Sequence, residues 1–154
     1  MYSKKNTIEH YKLSQNQCTK IEIFIQMLKR RNNSINIVGK STLIDPWKSH
    51  ILDSLQISSF IPKKNCSILD LGTGPGIPGL VLAMYDFTNV SLVDSNLKKI
   101  SFVKTVCSKL NIKAKIYRKR IEMLTHIKSD FLISRALANL NKLFFYSQNF
   151  LTEK

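Results

Sequence analysis

The first regular pattern along the chain is Ile21, Phe24, Ile25 and Leu28, spaced i, i+3, i+4, i+7. That spacing predicts an amphipathic helix over about residues 18–30. Lys29, Arg30, Arg31, Asn32 and Asn33 end it in a polar connection. A second helical stretch is predicted around residues 44–58, with Trp47, Ile51, Leu52 and Leu55 on one face. Pro62, Lys63, Lys64 and Asn65 then read as a loop.

From residue 66 the pattern changes to alternating strand and helix. Ser67-Ile68-Leu69-Asp70-Leu71 predicts a short apolar strand, and Gly79 to Tyr85 a buried helix. Val90-Ser91-Leu92-Val93-Asp94 predicts a second strand. Leu97, Ile100, Val103, Cys107 and Leu110 mark the buried face of the next helix. Ala114 to Tyr117 and Phe131-Leu132-Ile133 predict two more strands, and Leu140, Leu143 and Phe144 begin a last helix. This β-α-β-α-β order predicts an α/β fold with a parallel sheet and helices on its faces. Residues 1–60 read as a helical cap and 61–154 as the α/β body, together one functional domain. There is no internal repeat.

Composition adds a partner class. The 154 residues carry 24 Lys plus Arg against 10 acids, a net charge of +14 that attracts polyanions through phosphate counterion release. An anionic membrane surface or a heparin-like polymer is the rival partner, and a solvated basic surface the blandest reading. The N-terminus (Met1, Tyr2, Ser3, Lys4, Lys5) leads into polar sequence, and no apolar run has the length of a membrane span, so a soluble, cytoplasmic protein is expected. Cys18, Cys66 and Cys107 and the scattered His10, His50 and His126 have no metal-ligand spacing, so neither a disulfide framework nor a metal site is expected.

The chemistry concentrates at one loop. Of five glycines, four (Gly72, Gly74, Gly76 and Gly79) fall within eight residues, interleaved with Pro75, Ile77 and Pro78. The loop follows a strand and opens a helix, at the carboxyl end of the first strand where open α/β sheets bind ligands. Asp94 stands 20 residues beyond Gly74, where an acid bonds ribose hydroxyls in nucleotide-binding folds. Gly74-Pro75-Gly76-Ile77-Pro78-Gly79 formally matches a dinucleotide fingerprint, which suggests NAD and an oxidoreductase. Asp70, two residues before Gly72, argues instead for a ligand with a cationic amino-acid end, such as S-adenosylmethionine, because a carboxylate repels a diphosphate.

Four blocks together resemble a known family: His50-Ile51-Leu52-Asp53-Ser54-Leu55, the glycine loop, Val93-Asp94-Ser95, and Ile133-Ser134-Arg135-Ala136. They resemble ribosomal RNA small subunit methyltransferase G, also called glucose-inhibited division protein B, in that family's order and spacing. The resemblance implies a Rossmann-like class I methyltransferase fold with strand order 3-2-1-4. It implies a bacterial, cytoplasmic enzyme that transfers a methyl group from S-adenosylmethionine to guanine N7 in small-subunit ribosomal RNA, free or in the assembling subunit. By the family pattern, Gly72 and Ile77 hold the donor with Gly74 and Gly76 of the same loop, Asp94 holds its ribose, and Ile121, Glu122 and Arg135 complete the site. The chain departs from the family at a tryptophan missing near Arg31, at Asn36-Ile37-Val38 and at Ser49.

Guanine N7 carries a free lone pair, so no general base is assigned, and His50 is read as structural or RNA-contacting. The N/D-P-P-Y run of amino-group methylases and the Pro-Cys nucleophile of carbon-5 methylases are both missing from the sequence. Nine Lys or Arg and no acid between Lys98 and Arg120 predict an RNA-binding stripe carried by Lys98, Lys99 and Lys104. Family members continue for roughly another 50 residues with further strands, by analogy. The C-terminal strands are therefore expected to be missing, with Phe131-Leu132-Ile133 an uncovered sheet edge. The alternative function is a shortened relative that binds RNA or donor without turnover.

Overall fold

The computed structural model of the chain describes residues 4–135 and 137–152. The readings that fall on Met1, Tyr2, Ser3 and Ala136 lie outside the described residues. Four short runs rich in Ile, Leu and Val form β1 (Ser67–Leu71), β2 (Asn89–Val93), β3 (Lys115–Tyr117) and β4 (Phe131–Ile133). They make one sheet in the order β3-β2-β1-β4, and every pair is parallel. Leu71 lies opposite Val93, so β1 and β2 end level with each other. At the other end Asp130 accepts from Ser67 N (2.8 Å) and Ser67 Oγ (2.7 Å), which fixes the register of β4 on β1.

Alternation of side chains divides the sheet into two packed faces. Ile68, Val90, Leu92 and Ile133 join the larger core, shared with α2 (Gln15–Ser34), α4 (Gly79–Met84) and α5 (Leu97–Leu110). Leu69, Leu71 and Val93 face a smaller cluster with Ile121, Leu124, Tyr146 and Phe150, the last two from α6 (Leu140–Phe150). The N-terminal helices therefore complete the main core. Burying Ile21, Phe24 and Leu28 fully is worth about 1.5–3 kcal/mol each.

The helix ends follow from local sequence. Ser14 and Gln17 form a reciprocal capping box at the start of α2, and the Gln17 amide also donates to Asp86 (2.6 Å), tying α2 to the turn after α4. Asn96 caps α5 through the Lys98 and Lys99 amides, and Asn111 ends that helix in the left-handed conformation. A short α1 (Lys4–His10), absent from the periodicity reading, joins this layer through Lys4, which pairs with Glu22 and lies 5.4 Å from the Trp47 ring.

The helical stretch expected around 44–58 is present, with Trp47, Ile51, Leu52 and Leu55 all buried. Its winding changes along the way, from a wide π-type turn (Trp47–Leu52) through one α turn, α3 (Asp53–Leu55), to a tight 3-10 turn (Gln56–Phe60). Ser54 Oγ donates back to His50 O (2.6 Å), the hydroxyl-to-carbonyl bond that bends helices. Leu97, read as buried, is 60% exposed, because it stands in the first turn of α5 before the helix reaches the packed face. The edge position of β4 agrees with the sequence reading. Beyond α6, Leu151 makes an isolated parallel bridge with Ser129, just before β4.

Candidate functional site

The loop between β1 and α4 is folded by its own polar groups. Thr73 N donates to Val93 O (2.8 Å), carrying the chain across the end of β2, and Gly76 N and Ile77 N both donate to Thr73 O (3.0 Å). Asp70, which is fully buried, accepts from Thr73 Oγ1 (2.6 Å) and Gly79 N (2.8 Å). A Cβ on Gly79 would stand 2.3 Å from Leu92 and 2.7 Å from the Asp70 carboxylate, so only glycine lets α4 start against β1 here.

This placement changes the reading of Asp70. Its carboxylate points inward, to the face that packs α4, and it shapes the loop where the sequence reading gave it a cationic ligand group. Burial pushes its pKa up to about 6, against the Thr73 and Gly79 hydrogen bonds and the charge of Arg135; Asp94 adds to the rise. Its second oxygen, Oδ1, is buried without a partner.

Asp94 follows β2 directly. One oxygen accepts from Gly74 N (3.0 Å) and the other from Asn96 N (2.8 Å), so this carboxylate joins the glycine loop to the cap of α5. A carboxylate offers about four acceptor positions, so both oxygens retain capacity for a ligand hydroxyl.

At the carboxyl ends of the strands these groups surround a pocket of about 200 Å³. Gly72 just after β1, Asp94 and Ser95 just after β2, and Ile121 and Glu122 after β3 form its walls. Lys119, Arg120, Leu137, Lys142 and Tyr146 complete it. Gly72 has φ +71°, and a Cβ there would meet Leu137 Cδ1 at 2.5 Å, so glycine satisfies both the turn and the close approach. The Tyr146 hydroxyl donates to Glu122, and Lys142 Nζ lies 4.0 Å from the same carboxylate. The tyrosine bond holds the Glu122 carboxyl below its ordinary pKa.

Gly72, Asp94, Ile121 and Glu122 thus meet in one pocket. Gly74 and Gly76, with φ +58° and +97°, and Ile77, 3% exposed, lie in the loop behind its wall. Arg135 is turned elsewhere. It donates to Ser49 O (3.0 Å), to Asp53 Oδ2 (2.9 Å) and to His50 Nδ1 (3.0 Å), so two of the sequence blocks are joined in space. Lys98 and Lys104 stand exposed on α5 and Lys99 is half-buried. Sequence reasoning missed Leu137, Lys142 and Tyr146. The only available signal was the position of Tyr146 on a helix after the fourth strand.

A parallel sheet in this order, with a glycine loop closing β1 and an acid after β2, is the class I S-adenosylmethionine-dependent methyltransferase fold. Among solved structures, a coclaurine N-methyltransferase bound to N-methylheliamine and SAH superposes with a TM-score of 0.56 at 18% identity, over 64% of this chain and 32% of that one. The chain belongs to the rRNA small subunit methyltransferase G (GidB) family, whose model matches residues 17–154. Ribosomal RNA small subunit methyltransferase G of Rickettsia prowazekii (strain Madrid E) is 39% identical over 130 residues, covering 84% of this chain and 68% of that protein. The Rickettsia rickettsii (strain Sheila Smith) protein is 38% identical over 125 residues, covering 81% and 65%. The chain spans about two thirds of the length of these curated relatives. Among the described residues, no helix is long and apolar enough to cross a membrane, and no group of three or more metal-ligating side chains occurs.

Proposed function

We propose that the chain binds S-adenosylmethionine in the pocket at the ends of β1 and β2 and transfers its methyl group to N7 of a guanine in small-subunit ribosomal RNA, in the cytoplasm. The observation that carries this reading is the meeting of Gly72, Asp94 and the Ile121–Glu122 pair in one pocket, within a chain of this family. The donor set fits the group. Asp94 and Glu122 are acceptors for hydroxyl and amino groups, Gly72 makes a wall with no side chain of its own, closed by Leu137, and Ile121 and Leu137 supply apolar contact.

When bound, the donor supplies a methyl group on a cationic sulfur, open to displacement by a lone pair. The chain's own residues bind and align. Asp70 fixes the loop from below, Asp94 holds Gly74 at the end of β2, and Leu137 packs over Gly72. Guanine N7 needs no deprotonation before attack, so no side chain has to remove a proton. Alignment alone can supply about 7–11 kcal/mol of the barrier. The basic surface supplies RNA affinity that is largely sequence-independent.

The test is calorimetric titration with S-adenosylmethionine, with NAD as the control, followed by transfer of labelled methyl to unmodified small-subunit RNA. Donor binding without NAD binding, and label appearing at guanine N7, are expected. NAD binding without donor binding would sink the reading. Donor binding without transfer would leave a binding protein in place of an enzyme.

A further inference from the structure

A groove of about 340 Å³ lies between α2 and α5, sharing no residue with the donor pocket. Met27 and the buried Phe102 form its apolar base. Arg30, Arg31 and Ser34 line it from α2, and Ser101 and Thr105 from α5. No acid lines it. Among the described residues, no carboxylate pairs with Arg30 or Arg31. Arg31 Nε is buried with no hydrogen-bond partner, a costly state for a charged group's N–H, while the residue as a whole is partly exposed and lines the groove. We propose that this groove is a phosphate subsite in which Arg31 and Arg30 take one phosphate group of an RNA backbone, with Ser34 and Ser101 as neutral donors.

The chemistry selects the class of ligand. A guanidinium fork matches phosphate oxygens in two-point contact, and short hydroxyls fill the remaining acceptor positions. Thr105 already donates to Ser101 O (3.0 Å), so it presents lone pairs and the donors are the arginines and serines. Position favours an RNA strand over a free anion. Residues Ser101 and Thr105 lie about 6 and 12 Å along α5 from Leu97, which starts beside the donor pocket. Lys98 stands on the same helix face, at i, i+3, i+7 spacing with Ser101 and Thr105. A strand with its base at the donor pocket would run along α5 past Lys98 to reach the groove.

The inference rests on the RNA reading above, and the experiment separates the two. The full chain, labelled with nitrogen-15, is titrated with a small-subunit RNA fragment and separately with inorganic phosphate while the arginine Nε–Hε signals are followed. RNA is expected to move the Arg31 signal. Arg31→Gln is expected to weaken RNA binding about tenfold and to reduce the log–log salt slope by about 0.9, with donor affinity unchanged. Arg31→Lys keeps the slope but loses part of the affinity, which guards against a folding defect in the glutamine variant. If the wild-type chain binds RNA while the Arg31 signal stays still and Arg31→Gln binds equally well, the subsite is overturned and the RNA reading stands. If phosphate moves the signal and RNA does not bind, the groove is a site for free phosphate and the RNA reading fails. If neither probe moves it, the subsite is overturned.

Discussion

Arg135 and His50, 85 residues apart in sequence, meet at 3.0 Å, with the guanidinium donating to Nδ1 of a histidine that is 1% exposed. On the other side of the ring, His50 Nε2 lies 2.9 Å from Thr42 Oγ1, whose own proton goes to Gly39 O (2.7 Å). Only one tautomer serves both contacts: Nε2 carries the hydrogen and Nδ1 accepts. Protonation would set an N–H against the guanidinium. Burial first, and Arg135 second, lower the pKa to about 4, against a smaller opposing effect of Asp53.

The pH dependence of stability follows from that depressed value. With pKa about 4 folded and about 6.5 unfolded, the unfolded chain takes up the proton first as pH falls. The contribution of His50 is therefore complete above about 6.5 and is lost progressively down to about 4. Asp70 works the other way, since its folded value of about 6 lies above its ordinary 3.8, and it adds stability as pH falls through that interval. Urea denaturation of wild type and His50→Gln at pH 7, 5.5 and 4 isolates the histidine because Asp70 is common to both. Wild type should lose about 3 kcal/mol more than the variant between pH 7 and 4. Parallel curves would show that His50 is not held neutral.

Gly72→Ala tests the donor cradle. The left-handed φ of +71° costs an alanine about 1–2 kcal/mol, and its methyl would overlap Leu137 at 2.5 Å. The thermal midpoint should fall by several degrees, and calorimetry should find donor affinity reduced at least tenfold. A variant that binds the donor as wild type does would place the ligand away from this wall.

Tyr146→Phe asks how α6 regulates the pocket. The tyrosine hydroxyl occupies Glu122, and the pocket of about 200 Å³ is smaller than the ~300 Å³ at which ligand sites usually begin. Freeing the carboxylate removes one competing bond, worth about 1 kcal/mol, so donor affinity should rise about fivefold. Unchanged affinity would mean that Glu122 does not touch the donor.

Most of the β1–loop–α4–β2 unit was legible because its signals are local: a short apolar run, clustered glycines, and an acid at fixed distance. Of the pocket residues, Gly72 was marked by the glycine cluster and Asp94 by its distance from it, whereas Ile121 and Glu122 were named only through the family resemblance. Tyr146 and Lys142 were not legible, since which face of α6 turns toward Glu122 depends on the path between β4 and that helix. The change of winding between Trp47 and Phe60 was equally hidden, because a wide turn preserves nearly the same apolar face that a regular α-helix would show. Arg135 carried a motif signal, yet its partners His50 and Asp53 come from that distant segment, a long-range pairing that spacing does not encode.

The lysines at the start of α5 give the last prediction. Lys98 and Lys104 are exposed, and Lys98 and Lys99 follow the Asn96 cap beside Asp94, so phosphates near the donor pocket would meet them first. Replacing Lys98, Lys99 and Lys104 together with glutamate should weaken binding to small-subunit RNA at least tenfold, measured by fluorescence anisotropy at about 100 mM salt. The log–log salt slope should fall by about two to three, near 0.9 for each phosphate contact removed. Lys5→Glu, at an exposed position on α1, serves as the control for charge reversal away from α5 and should change affinity little. Donor affinity should stay at the wild-type value in both variants. If the triple variant binds RNA as tightly as Lys5→Glu does, the strand does not run along α5 and the nucleic-acid face must be sought on another side of the sheet.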